Sequence, residues 1–211
     1  MNELSDRNEL EETTDPEGSA VVTVVSRSAY SGGNRSELII SRAWAMPNAF
    51  TFTIEPIAQL VKKYVGDGVG WIDPFAGENS PAEITNDLNP ERPTTFHLDA
   101  LEFLRMQDEG VKGILYDPPY SITQARQMYD DFGGDKFDPS SMQYWGDCKK
   151  EIARIVRMGG LVICCGWNSN GVGKNRGFKM LEVLIVAHGG SKNDTLVTVE
   201  RKVFHKERLP L

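Results

Sequence analysis

Within this 211-residue chain, the tetrapeptide Asp117-Pro118-Pro119-Tyr120 is the segment whose residue types and spacing demand most of chemistry. Two adjacent prolines fix the backbone and remove two amide donors, so their carbonyls and the flanking carboxylate form a rigid set of acceptors beside an aromatic face. Such a loop suits the exocyclic amino group of a nucleic-acid base. The lone pair of that nitrogen is delocalised into the ring and must be localised before it can attack a methyl group. Acceptors on its N–H bonds favour the rehybridisation, and a stacked ring holds the base still. The bland alternative is a Pro-Pro turn with a helix cap; the position after an apolar strand in an alternating chain favours the chemical reading.

Three further carboxylates close apolar runs. Asp73 stands in Trp71-Ile72-Asp73-Pro74-Phe75-Ala76-Gly77, Asp87 in Thr85-Asn86-Asp87-Leu88 and Asp99 in His97-Leu98-Asp99-Ala100. One aspartate after a strand is commonplace because it caps the next helix. Four in succession are harder to explain by capping.

The elements that must position these residues alternate. Apolar residues at helical spacing predict helices over 54–65, 100–105, 122–131 and 142–156, and short apolar runs predict strands over 69–72, 84–86, 95–98, 113–116 and 161–165. Two late strands, 180–187 and 195–203, are joined by a turn-rich segment, and 20–25 with 38–41 form a hairpin or arm around the flexible turn 31–34. The pattern predicts an α/β fold: a mostly parallel sheet with helices on both faces and a C-terminal antiparallel hairpin. Only about ten residues separate the first strand from the second, too few for a crossover helix, so that helix is expected to be missing. In such a sheet, ligands collect at the carboxyl ends of the strands, where the four aspartates fall.

Composition sets the outer limits. With 40% apolar and 25% charged residues, the chain fits one domain over 19–211, preceded by a polar, acidic tail over 1–18. Neither a membrane-length apolar run nor a secretion signal is visible, which points to the cytoplasm of a bacterial, archaeal or virus-infected cell. Of three cysteines, Cys164 and Cys165 are adjacent in an apolar run, a spacing that suits neither a disulfide set nor a metal site. A net charge of -7 runs against a nucleic-acid partner, yet residues 149–211 hold 12 Lys+Arg against 5 Asp+Glu. The C-terminal third is the candidate binding face.

With these motifs in order, the sequence from about residue 48 to 203 resembles the DNA amino-methyltransferases, which modify adenine N6 or cytosine N4 and carry Phe-x-Gly and Asp-Pro-Pro-Tyr motifs. Phe75-Ala76-Gly77 and Asp117 to Tyr120 carry the resemblance. It implies a Rossmann-like fold and S-adenosylmethionine as cofactor, with Asp73, Phe75 and Gly77 lining it, Asp87 on its ribose and Asp99 near its adenine. Asn48 and Phe50, in the segment 46–52, match the loop over the methionine end. It further implies that Asp117 and Pro118 bind the target amino group, with Tyr120 stacking on a flipped base. The family's second glycine is replaced by Asn79, after Glu78, which narrows the backbone's approach to the cofactor.

An aspartate opening the tetrapeptide points within that family to adenine N6 in duplex DNA, reached by base flipping. The loop 166–176 offers Trp167 and Asn168 as base contacts and Lys174 and Arg176 as phosphate contacts; Arg126 and Lys136 are lesser phosphate candidates. No target-recognition domain is visible, so specificity should be short, or supplied by a homodimer mate or a partner subunit. Three alternatives stay open: a methyltransferase acting on RNA base amino groups, an inactive nucleic-acid-binding subunit, and a small-molecule methyltransferase.

Overall fold

The computed structural model describes residues 7–14, 20–29, 35–132, 142–190 and 192–204. Nine strands form one sheet: β1 (Arg7–Thr14), β2 (Ala20–Ala29), β3 (Arg35–Trp44), β4 (Trp71–Asp73), β5 (Ile84–Thr85), β6 (Val111–Tyr116), β7 (Val156–Gly166), β8 (Phe178–Ala187) and β9 (Thr195–Lys202). Their order across the sheet is β1-β2-β3-β8-β9-β7-β6-β4-β5. Strands β3 to β8 all run the same way, while β9 is antiparallel to both of its neighbours, β7 and β8. The layout is the Rossmann-like one expected, including the late antiparallel pair. β9, however, lies inside the sheet rather than at its edge.

Four helices cover it: α1 (Glu55–Val65), α2 (Ala100–Met106), α3 (Ile122–Phe132) and α4 (Met142–Ile155). Alternate residues of the central strands point to opposite faces, and both faces are buried. Ile114, Tyr116, Val162 and Cys164 meet residues of α2, α3 and α4 in one core; Leu115, Ile163 and Cys165 meet Ile57, Leu60, Val61 and Val65 of α1 in the other. Burying such a side chain fully contributes roughly 1.5–3 kcal/mol, so these alternating rows fix the register of the sheet. α1 begins with Glu55 and Pro56 at its first positions, ends with Lys62 and Lys63 in its last turn, and closes at Gly66, whose φ of 68° suits glycine. Gly113 lets the buried ring of Trp71 lie across β6, where a Cβ would overlap it.

Two expectations need correcting. Residues 95–98 form a single bridge, Asn86 to Phe96, rather than a strand. The buried Asn86 side chain takes over the pairing: Nδ2 donates to the carbonyls of Pro74 (3.1 Å) and Leu98 (3.0 Å), and Oδ1 accepts from the Leu98 amide (2.9 Å). Within the segment 1–18 expected as a tail, Arg7–Thr14 forms β1, paired with β2. Of the hairpin or arm expected over 20–25 and 38–41, the hairpin forms between β2 and β3, and β3 also pairs in parallel with β8 and extends the main sheet. The turn 31–34 lies outside the described residues.

The helix after the first strand is indeed missing. Residues 74–83 instead cross to β5 as turns, held where Ser80 Oγ donates to Asp73 Oδ2 (2.6 Å) and the Ala76 amide to the Asn86 carbonyl (2.9 Å). No helix among the described residues is long and apolar enough to cross a membrane.

Candidate active site at the carboxyl ends of the strands

β4 crosses to β5 on one side while β6 lies on its other side, so a switch point opens between β4 and β6. Asp73 and Asp117 leave the two strands there. The tetrapeptide is held from its C-terminal side by a reciprocal cap on α3: Gln124 Oε1 accepts from the amides of Tyr120 (2.9 Å) and Ser121 (3.2 Å), and Ser121 Oγ accepts from the Gln124 amide (3.2 Å). It is also closed on itself. Tyr120 Oη donates to Asp117 Oδ1 at 2.5 Å, and the Thr51 side chain hydrogen-bonds the same pair. Burial raises the Asp117 carboxyl above the usual range, and the Tyr120 and Thr51 hydroxyls pull it back down.

Pro118, Pro119 and Tyr120 form the common wall of two clefts. The first, of about 500 Å³, is lined by Asn48, Thr51, Phe75, Asp87 and Asp117 among others. Among the described residues its charged lining is Asp87, Asp117 and Asp131, with no lysine or arginine. Asp87 accepts the amides of Gly77 (3.0 Å) and Asn89 (2.8 Å). Gly77 adopts φ 56°, which favours glycine, and faces open space where a Cβ would stand. The second cleft, of about 340 Å³, is lined by Tyr116, Ile122, Trp145, Lys149, Trp167 and Asn168 among others. The Trp167 ring meets that of Tyr120 edge-on, with centroids 5.9 Å apart.

The sequence-derived candidates divide. Asn48, Phe75, Asp87, Asp117, Pro118, Pro119 and Tyr120 come together in the first cleft, and Trp167 and Asn168 in the second. Asp73 lines neither: fully buried, it accepts the Phe75 amide (2.9 Å) and Ser80 Oγ, so it shapes the loop beneath the cleft. Burial pushes its carboxyl up to about 7, opposed by those two hydrogen bonds and reinforced by Asp117 and Asp87 nearby. Asp99 also lines neither. One of its oxygens caps α2 through the Leu101 and Glu102 amides, and the other accepts the hydroxyls of Tyr129 (2.8 Å) and Tyr144 (2.7 Å), which saturates it. Phe50 is exposed beside Asn48, to whose Oδ1 its amide donates (2.7 Å), but it is not among the lining residues.

Lys174 and Arg176 line a third depression, of about 470 Å³, with Trp145, Gly146 and Lys149. Arg126 is exposed on α3 and lines none of the three, and Lys136 lies outside the described residues. Reading the sequence did not single out Thr51, Gln124, Trp145, Lys149 or Glu200. Only Gln124 left a signal, as the fourth residue of a Ser-x-x-Gln capping pattern after the tetrapeptide. Glu200 is a buried carboxylate on β9 that accepts the amides of Val172 (2.5 Å) and Gly173 (3.1 Å), pinning the loop that carries the two cations.

Fold and site define a Rossmann-like α/β protein in which one rigid loop divides two ligand clefts. No family model matches the chain, and neither does any curated protein. Among solved structures, TrmN from Thermus thermophilus is similar at 18% identity over 71% of this chain and 49% of its own, with a TM-score of 0.47. The N-methyltransferase NodS from Bradyrhizobium japonicum WM9 is similar at 10% identity over 71% of this chain and 96% of its own, with a TM-score of 0.48. A methyltransferase homolog from Pyrococcus horikoshii follows at 10% identity over 63% and 61%, with a TM-score of 0.40. The chain thus spans about half the length of TrmN. Likeness at these levels assigns neither activity nor substrate, and the description of the fold rests on strand order and connectivity alone.

Proposed function

We propose that the protein transfers a methyl group from S-adenosylmethionine to an exocyclic amino group of a nucleic-acid base, with adenine N6 in DNA as the target. The observation that carries this reading is the shared wall: Pro118, Pro119 and Tyr120 line both clefts, so groups bound on either side meet across the tetrapeptide. The first cleft fits the cofactor by charge. Three carboxylates, with no balancing cation among the described lining residues, favour a ligand bearing a sulfonium and an ammonium over a phosphate-bearing one. Phe75 and Asp87 would hold that ligand, with the Gly77 amide orienting Asp87. The cofactor supplies an electrophilic methyl group.

The chain's own residues prepare the nucleophile. As a carboxylate, Asp117 accepts an N–H bond of the base amino group, and the Pro118 carbonyl accepts the other; together they localise the nitrogen lone pair as it turns tetrahedral. Tyr120 contributes a face. Trp167, 42% exposed at the mouth of the second cleft, extends the aromatic wall that an extruded base would meet.

The test is methyl transfer from labelled S-adenosylmethionine to duplex DNA, with the product nucleoside identified by mass spectrometry. N6-methyladenine is expected from the wild type and none from Asp117→Ala, whose cofactor affinity by calorimetry should stay within a few-fold. Full activity in Asp117→Ala, or methyl groups appearing only on RNA or on cytosine N4, would refute the proposal.

A further inference from the structure

The second cleft does not end at the base-sized cavity. It runs into the third depression, and the two share Trp145, Lys149, Asn170 and Gly171. The charged side chains lining this continuous surface are Lys149, Lys174 and Arg176, and no carboxylate is among the lining residues of either part. That is the reverse of the first cleft, whose described lining holds three carboxylates and no cation. Charge therefore changes sign across the tetrapeptide.

Lys149 stands at the junction. It lies half-buried on α4 and is the one cation that lines both parts. Across from it, the loop 171–173 is fixed from below, because both oxygens of the buried Glu200 carboxylate are occupied by the Val172 and Gly173 amides. Lys149 stands near enough to Glu200 to favour its charged form. Gly171 allows the close approach, since a Cβ there would overlap the carboxylate. Arg176 is restrained as well, through Nη1 donating to the Val172 carbonyl at 3.2 Å. The result is a pre-set group of cations beside an aromatic cleft.

We infer that this junction is a phosphate subsite for the nucleotide that carries the target base, with Lys149 as the residue that binds its phosphate. The inference rests on the second cleft being the base site, and it names the side chain that takes the phosphate next to the target base. A base seated against Pro118 and Tyr120 leaves its sugar toward Lys149, where a phosphate meets the ammonium. Lys174 and Arg176, further out, meet the next phosphate of a chain.

Nuclear magnetic resonance titrations of the full chain with 2′-deoxyadenosine, its 5′-monophosphate and its 3′-monophosphate test this. One monophosphate should bind at least about tenfold more tightly than the nucleoside and shift the resonances of Trp145 and Gly171. Lys149→Gln should bring the ratio close to one, while Lys149→Arg should keep most of it. Lys150→Gln, on the same helix but paired with Asp147 at 2.6 Å, should leave it unchanged. Equal binding of nucleotide and nucleoside, no binding of either, or an unchanged preference in Lys149→Gln would overturn the inference. Binding of the nucleotide through Lys149, together with no methyl transfer to duplex DNA, would instead overturn the proposed activity and leave the subsite standing.

Discussion

The hydroxyl of Tyr120 gives that residue a second role besides its aromatic face, because it donates to Asp117 at 2.5 Å and so favours the charged carboxylate. The ionised form is the stronger acceptor for a base amino group. Methyl transfer should therefore fall as pH drops through the raised pKa of Asp117. In Tyr120→Phe, one of the two hydrogen bonds that lower this pKa is gone, so the acid limb of kcat/KM should move to higher pH while activity above the limb stays within several-fold. A pH–rate profile of both proteins on the same DNA checks this, and an unshifted limb would show that the carboxylate titrates independently of the tyrosine. The ring's place beside the prolines was legible in the sequence; the hydroxyl's contact with Asp117 was not, since an i to i+3 contact across two prolines depends on dihedral angles that the one-letter pattern does not carry. Asp99 shows the opposite failure. Its position after an apolar run suggested a ligand contact, but capping donors and two tyrosines from distant helices consume it.

Among the elements, the loops were read less well than the strands and helices that carry them. Periodicity located α1 to α4 and the central strands because each buries a regular stripe, and counting residues was enough to predict the missing helix after β4. It could not predict that Asn86 would replace strand pairing at 95–98, since a side chain standing in for backbone bonds leaves no periodic trace. Nor did it find Glu200, which looks like one more polar residue in β9 until its oxygens are seen on the amides of Val172 and Gly173. This carboxylate makes the loop 171–173 part of the rigid sheet. Gly171→Ala is expected to be costly, for two reasons: its φ of 53° and the overlap of a Cβ with the Glu200 carboxylate. Strain of this kind costs on the order of 1–3 kcal/mol. Chemical denaturation should report a loss of that size, with the damage to nucleic-acid binding exceeding that to cofactor binding. A variant as stable as the wild type would mean the loop can move off the carboxylate freely.

Over the whole molecule, a net charge of -7 conceals a division between an acidic cleft on one side of the tetrapeptide and a basic surface on the other. The excess of cations in residues 149–211 was visible in the sequence; that Lys149 and the 174–176 turn converge from different elements was not, because they are joined only by the fold. Exchanging Lys174 and Arg176 together for alanine should weaken DNA binding across all sequences and lower the salt slope of log K by roughly 1–2, at about 0.9 per phosphate contact. Binding isotherms at several salt concentrations decide it, and an unaltered slope would place the DNA elsewhere. The position of β9 has a consequence of a different kind. Although last in the chain, it lies between β7 and β8, and only through it does β8, with the attached β3, β2 and β1, join the rest of the sheet. Its Lys202 also caps the end of α4, donating to the carbonyls of Ala153 and of Val156 (2.7 Å). During synthesis, then, the sheet stays in two unjoined parts until β9 has left the ribosome. The loop that carries Lys174 and Arg176 is pinned by the same late strand, so a nascent chain lacks a fixed basic loop until β9 has been made and paired.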